Sequence, residues 1–241
     1  MQLDPRTVAR DIPGIVDEIF PQLTPGTVAH INTRIEPVLV KRIPPDLLVR
    51  SKLQKAMLFE LAYTVGEHFL QGAISVDWGF CFAETLKRQQ VYFDAKLPNN
   101  LEPHDKMIAE IVGRNLADTL KAMSKERGEK LIIRPPIPGL EWVSSGHGDF
   151  ALGSKLVEVK CTAKRFSSAD YRQVAMYWLL SYAAAIEGRG DEWRVFVLLN
   201  PRSGEKLSMR FDSFLAAIGG SRTKVEILLL FQSLIGSRIR L

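Results

Sequence analysis

The chain has 241 residues, 46% hydrophobic and 24% charged, with 32 Lys and Arg against 27 Asp and Glu, a formal charge of +5 and a pI near 9.2. This is the composition of an ordinary globular protein whose core needs no staples, and the mild basic excess is compatible with a polyanionic partner. Cys81 and Cys161 are too few for a disulfide framework or a four-thiolate metal site; the longest nearly apolar run, 13 residues from Val174 to Ile186, is too short to span a bilayer; and the start MQLDPRTVARDIPG lacks a basic-then-apolar leader pattern, so no membrane partner and a cytoplasmic location are expected.

No internal repeat or low-complexity tract is present. Prolines cluster at 36 to 45, 98 to 103 and 135 to 138, and the second cluster, with Asn99 and Asn100, is the expected boundary between residues 1–100 and 101–241. Residues 1–97 read as largely helical. Pro45 and Asp46 open one amphipathic pattern through Leu53, Met57, Leu58, Leu61, Val65 and Phe69 that ends near Gly72. Glu60 and Glu67 fall near that apolar stripe without defining a site. Phe80 to Phe93 fits either a helix or two strands.

Beyond the boundary, residues 104–127 predict a helix with Met107, Ile108, Ile111, Val112, Leu116 and Leu120 on its apolar side. "KLIIRPP" predicts a strand stopped by proline. "LEWVSSGHGDFAL" and "KLVEVKCT" predict two more, joined by a turn at Gly153–Ser154. A long helix is expected from about Ser168 to Ile186. "EWRVFVLLN" and "LSMRF" form a strand hairpin, and "SRTKVEILLLFQSLIGSRIRL" a terminal helix. The expected class is α/β, helices covering a small sheet.

Chemistry concentrates in "GHGDFALGSKLVEVKCT". Side chains two apart on a strand share a face, so Glu158 and Lys160 point one way and Val157, Val159 and Cys161 the other. The short hairpin brings Asp149 alongside. Two carboxylates and a backbone carbonyl are what Mg²⁺ or Mn²⁺ requires, and such an ion lowers the pKa of bound water and neutralises charge on a phosphoryl oxygen. Lys160 can orient the attacking water or stabilise developing charge. An isolated Glu-x-Lys also fits a half-solvated strand face; the surrounding order of elements separates the two readings.

G-x-G-D, eight residues, then E-V-K resembles the PD-(D/E)xK nuclease superfamily, whose core is a helix, three strands, a helix and a further strand. Gln173 and Tyr177, in "QVAMY", are similar to the Q-x-x-x-Y signature of its RecB-type branch. The likeness covers roughly residues 104–210. It implies a restriction-endonuclease-like core with a mostly helical N-terminal region, and Asp149, Glu158 and Lys160 as catalytic residues. It further implies Asp149, Glu158 and the carbonyl of Val159 as ligands of Mg²⁺ or Mn²⁺, with Glu110, on the preceding helix, completing the shell. Gln173, Tyr177, Lys164 and Arg165 would then contact DNA. Glu102 and Asp105 compete with Glu110 for the helix position, although acidic residues at a helix start also suit its dipole.

The chain departs from the pattern in two respects. Gly148, not Pro, precedes Asp149, and two cysteines cannot hold the four-cysteine iron–sulfur cluster of some RecB-type nucleases. His147 and His104 are secondary candidates. Arg114, Arg134, Lys155, Lys164, Arg165 and Arg172 are cations that elements flanking the site would carry. Tyr171, Trp178 and Tyr182 read as core of the long helix.

The resemblance thus implies a deoxyribonuclease leaving a 5′-phosphate, in DNA repair, recombination or phage defence. The alternative is a non-cleaving nucleic-acid-binding or scaffold subunit that keeps the fold. Residues 1–100 offer no catalytic group to this reading and are expected to extend the core, dock a protein partner or support self-association.

Overall fold

A computed structural model describes residues 3–12 and 14–237. Three short helices come first: α1 (Pro5–Asp11), α2 (Ile15–Ile19) and α3 (Pro25–Ile31). Asp4 caps α1 by accepting the Arg6 and Thr7 N–H groups, and Thr24 caps α3; each helix starts on a proline, whose missing N–H is harmless there. A two-residue edge strand, β1 (Glu36–Pro37), follows.

The single long helix expected from Pro45 to Gly72 is two, α4 (Pro45–Arg50) and α5 (Lys55–Leu70). The break occurs at Ser51 because its hydroxyl donates to buried Asp105 at 2.6 Å, and Gln54 is drawn into bonds with the 94–96 backbone. These tertiary hydrogen bonds override an unbroken apolar period. The ambiguous stretch is a helix, α6 (Trp78–Gln89), capped by Asp77.

α7 (Pro103–Arg127) matches the expected helix, with a Glu102/Asp105 capping box at its start and Gly128 in the left-handed conformation at its end. Next come β2 (Leu131–Ile133), β3 (Pro136–Ile137), β4 (Gly146–His147), β5 (Phe150–Leu152) and β6 (Lys155–Val159). Two expected strands are therefore each cut in two, and at the same place. Arg134 takes a positive φ of 53°, and Glu141 does the same further along. Arg134 N–H donates to the Asp149 carbonyl and Gly148 N–H to that of Pro135, so β2/β5 bend and continue as the separate β3/β4 pair.

The chain continues through α8 (Ser168–Ile186), β7 (Val195–Asn200), β8 (Glu205–Arg210), α9 (Phe211–Ile218) and α10 (Lys224–Ser237). α9 has no counterpart in the sequence reading. The last four residues of the expected terminal helix lie outside the described residues.

The main sheet runs β1-β8-β7-β6-β5-β2 and is antiparallel except for β6–β7, whose parallel pairing is made by the α8 crossover. Helices cover both faces. Leu156, Phe196, Leu198 and Leu207 pack toward α8, α9, α10 and the N-terminal helices. Phe150, Leu152, Val157, Val197 and Leu199 pack toward Leu116 and Leu120 of α7. The α/β class follows directly. The expected boundary near residue 100 does not divide two cores: Val8, Ile15, Phe20 and Ile31 share a cluster with Tyr171, Trp178 and Phe196, and α5 packs along α7.

Candidate functional site

The β5–β6 register pairs Phe150 with Val157, which places Asp149 opposite Glu158. Asp149 N–H donates to Glu158 Oε1 at 3.2 Å, and Val159 N–H donates to Asp149 Oδ2 at 2.7 Å. Asp149 sits where the two strands bend, its carbonyl also accepting from Tyr63 Oη at 3.2 Å. A non-glycine residue at positive φ directly before a proline, as Arg134 is, is strained backbone of the kind found at functional sites.

Glu158 is not on a solvated face. It shares the Leu156 side of the sheet, lies under α8 and is 1% exposed. Gln173 organises what surrounds it: its Nε2 donates to Glu158 Oε2 at 2.7 Å and to Tyr177 Oη at 3.1 Å, while its Oε1 accepts from Lys160 Nζ at 2.9 Å. The opposite amide orientation would turn an NH₂ group against an ammonium, so this assignment is the one the network allows. Lys160 Nζ is also 3.6 Å from Glu158 Oε2 and 3.9 Å from Asp170 Oδ1. Asp170 is fixed by the capping box that starts α8.

Burial, and then the neighbouring Asp149 charge, push the Glu158 carboxyl up to about 8. Burial also raises Tyr177 and Tyr63, and takes the Cys161 thiol to about 12. Two facing carboxylates, Glu158 buried and Asp149 half-buried, are a hard-oxygen donor set that a divalent cation suits, because its charge removes the repulsion between them. Asp149, Glu158 and the Val159 carbonyl are the groups in position to hold it. Among the described residues no group of three or more His, Cys, Asp or Glu side chains gathers for metal binding.

These residues floor a cleft of about 1190 Å³, above the roughly 300–1,000 Å³ of a small-molecule pocket. Lys164 and Arg165 line it, as expected, and so do Arg134 and His147. Arg114, Lys155 and Arg172 do not; they pair with Glu110, Glu129 and Asp17. His104 lies beside Asp105 at the start of α7, away from the cleft.

Glu110 is also outside the cleft lining. It sits on the side of α7 opposite the Ile108–Val112–Leu116 stripe, its carboxylate 39% exposed and held by Arg114 at 2.8 Å. Among the described residues, the cleft-lining carboxylate on the helices before the main strands is instead Glu60 of α5, part-buried and raised in pKa by desolvation. Glu60, Tyr63 and Glu67 stand at i, i+3 and i+7 on one side of α5. Arg88 of α6 ties Glu60, Glu67 and Glu84 at 3.4, 2.6 and 3.1 Å. The signal in the sequence was two glutamates beside an apolar stripe.

No such signal marked the N-terminal helix. α1 packs on α8 and brings Arg6, Thr7 and Arg10 to the cleft. Arg10 Nη1 reaches Gln173 Oε1 at 3.4 Å and Asp170 Oδ1 at 3.9 Å. Burial would lower the Arg6 pKa, but Tyr92, Asp149, Tyr177 and Glu158 outweigh it and the net shift is upward. Tyr171 and Trp178 are core, as read, with Tyr182 stacked on Trp178.

No protein-family model matches this chain, and no curated protein or solved structure matches it.

Proposed function

We propose that this protein is a Mg²⁺- or Mn²⁺-dependent deoxyribonuclease with a restriction-endonuclease-like core, of the RecB-type PD-(D/E)xK branch, acting in DNA repair, recombination or phage defence. The observation that carries the reading is the Gln173 network, which joins Lys160, Glu158 and Tyr177 directly opposite Asp149. Within the main sheet, with the separate β3–β4 pair lying between β2 and β5, the order α7, β2, β5, β6, α8, β7 is also compatible with the helix, three strands, helix, strand of that core.

A divalent ion held by Asp149, Glu158 and the Val159 carbonyl would polarise the phosphoryl oxygen and acidify water. Gln173 keeps the Lys160 ammonium aimed beside Glu158, where it orients the water and meets charge developing on the phosphate. Asp170 and Arg10 steady Gln173 and Lys160 from the α8 and α1 sides. Arg6, Arg134, Lys164 and Arg165 hold phosphates along the cleft.

One observation favours a second reading, a DNA-binding or scaffold subunit that does not cut: among the described residues two carboxylates, not three, stand together at the proposed metal position. Linear, circular and single-stranded DNA incubated with Mg²⁺ or Mn²⁺, with a Lys160→Ala control, separates the two. The nuclease reading expects cleavage by the wild type and its loss, by roughly 100-fold or more, in the variant. Binding without cleavage on every substrate leaves the subunit reading. Equal cleavage by both proteins overturns the assignment of Lys160.

A further inference from the structure

The cleft has one wall unlike the rest. Just after α6, three consecutive large apolar side chains stand in solvent: Val91 is 75% exposed, Tyr92 50% and Phe93 107%. Such a patch is rare on a soluble surface without a partner. The segment is held in place. Tyr92 N–H donates to the Gln89 carbonyl at 3.0 Å and Ala95 N–H to that of Tyr92 at 3.2 Å. Gln54 then bonds the backbone on both sides of Ala95, accepting from Lys96 N–H at 2.9 Å and donating to the Asp94 carbonyl at 3.3 Å.

Val91 and Tyr92 line the same cleft as Asp149, Glu158 and Lys160. So do Arg6, Arg134, Lys164 and Arg165, none of which has a side-chain hydrogen bond or ion pair among the described residues. Their neighbours Arg10 and Arg88 are both engaged. The cleft therefore combines an exposed aromatic edge with cations that, among the described residues, no side-chain hydrogen bond or close ion pair ties down. An apolar protein partner leaves the cations unexplained, and a duplex, whose bases are hidden in their own stack, leaves the aromatic rings unexplained. An unpaired strand uses both, because every base offers a π-face whatever its identity and every linkage a phosphate.

We propose that Tyr92, on the cleft wall, and Phe93, exposed on the surface beside it, form a base-stacking platform for single-stranded DNA, so that the cleft takes an unpaired strand in preference to a duplex. This rests on the nuclease reading for its orientation toward Asp149, Glu158 and Lys160, but its test does not depend on cutting. Fluorescence anisotropy in EDTA would measure binding of a labelled single-stranded oligonucleotide, the same backbone without bases, and a blunt hairpin duplex, all at one salt concentration. The wild type is expected to favour the base-bearing strand over both others. Tyr92→Ala/Phe93→Ala is expected to weaken that strand about tenfold or more while leaving the abasic strand and the duplex unchanged.

Both positions are solvent-exposed, so the fold should survive, and the abasic comparison needs the wild type alone. Equal binding of abasic and base-bearing strands, binding of none of the three, or an unchanged double variant overturns the platform. A protein that shows the base-dependent preference yet cuts no DNA with Mg²⁺ or Mn²⁺ keeps the platform and loses the nuclease reading. One that cuts, with the double variant binding as the wild type does, keeps the nuclease and loses the platform.

Discussion

The burial of Glu158 gives it a measurable thermodynamic signature. Its carboxyl titrates near 8 in the folded protein against 4.5 as an ordinary glutamate, because burial and then Asp149 disfavour its charge. Between those values the folded chain holds a proton that the unfolded chain has lost. Its contribution to stability is therefore complete below about 4.5 and drains away as pH rises through about 8. In EDTA, Tm should fall across that window, and Glu158→Gln, which is always neutral, should flatten the fall. Added Mg²⁺ should raise the wild-type Tm most at the alkaline end, where it has no proton to displace. Wild-type and Glu158→Gln Tm values that run parallel across the window would show that Glu158 takes up no proton there. That Asp149 comes alongside Glu158 and Lys160 was legible in the sequence because hairpin register is a local rule; Gln173 and Tyr177 stood out only through the resemblance to the RecB-type signature. The burial of Glu158 was not legible, since α8 covers it from a position later in the chain.

The crossing of α5 and α7 decides which carboxylate reaches the cleft. Gly66 and Gly113 meet there, and a Cβ on Gly113 would lie 2.7 Å from Val65 Cγ1 and 2.9 Å from the Ala62 carbonyl oxygen. Alanine in a helix interior ordinarily gains about 1 kcal/mol over glycine. Overpacking costs about 1–3 kcal/mol, and here the obstacle is backbone as well as side chain, so strain wins. Gly113→Ala is expected to lower unfolding free energy by ~1–2 kcal/mol, read by urea denaturation, and to reduce any DNA cleavage by shifting Glu60 and Tyr63. A stabilised variant would mean that the helices separate freely. α7, α8 and the β7–β8 hairpin were legible because each carries its own period and end signals. The α4–α5 break and the bends at Arg134 and Asp149 were not. They are set by Ser51 meeting Asp105 and by Arg134 N–H meeting the Asp149 carbonyl, contacts that no local pattern encodes. That Glu110 lies outside the cleft lining was hidden for a related reason: periodicity shows that a helix has a polar side, not what that side faces.

The first hundred residues look separable in sequence, with a proline- and asparagine-rich stretch after them, yet they complete both the core and the cleft. α1 and α3 rest on α8, α2 on α10, α5 on α7, and β1 closes the β8 edge of the sheet. Ile15, Ile19, Phe20 and Ile31 are fully buried or nearly so. At ~1.5–3 kcal/mol for each large apolar side chain, those four together rival the ~5–15 kcal/mol by which a typical domain is stable. Removing residues 1–100 would uncover their partners on α8 and α10 as well. It would also take Arg6, Arg10, Glu60, Tyr63 and Tyr92 out of the cleft. A fragment of residues 101–241 should therefore show no cooperative thermal transition, bind a hydrophobic dye strongly and fail to bind DNA, while the full chain melts in one step. If that fragment melts cooperatively and retains DNA binding, the N-terminal helices are an accessory layer and the cleft belongs to the later residues alone.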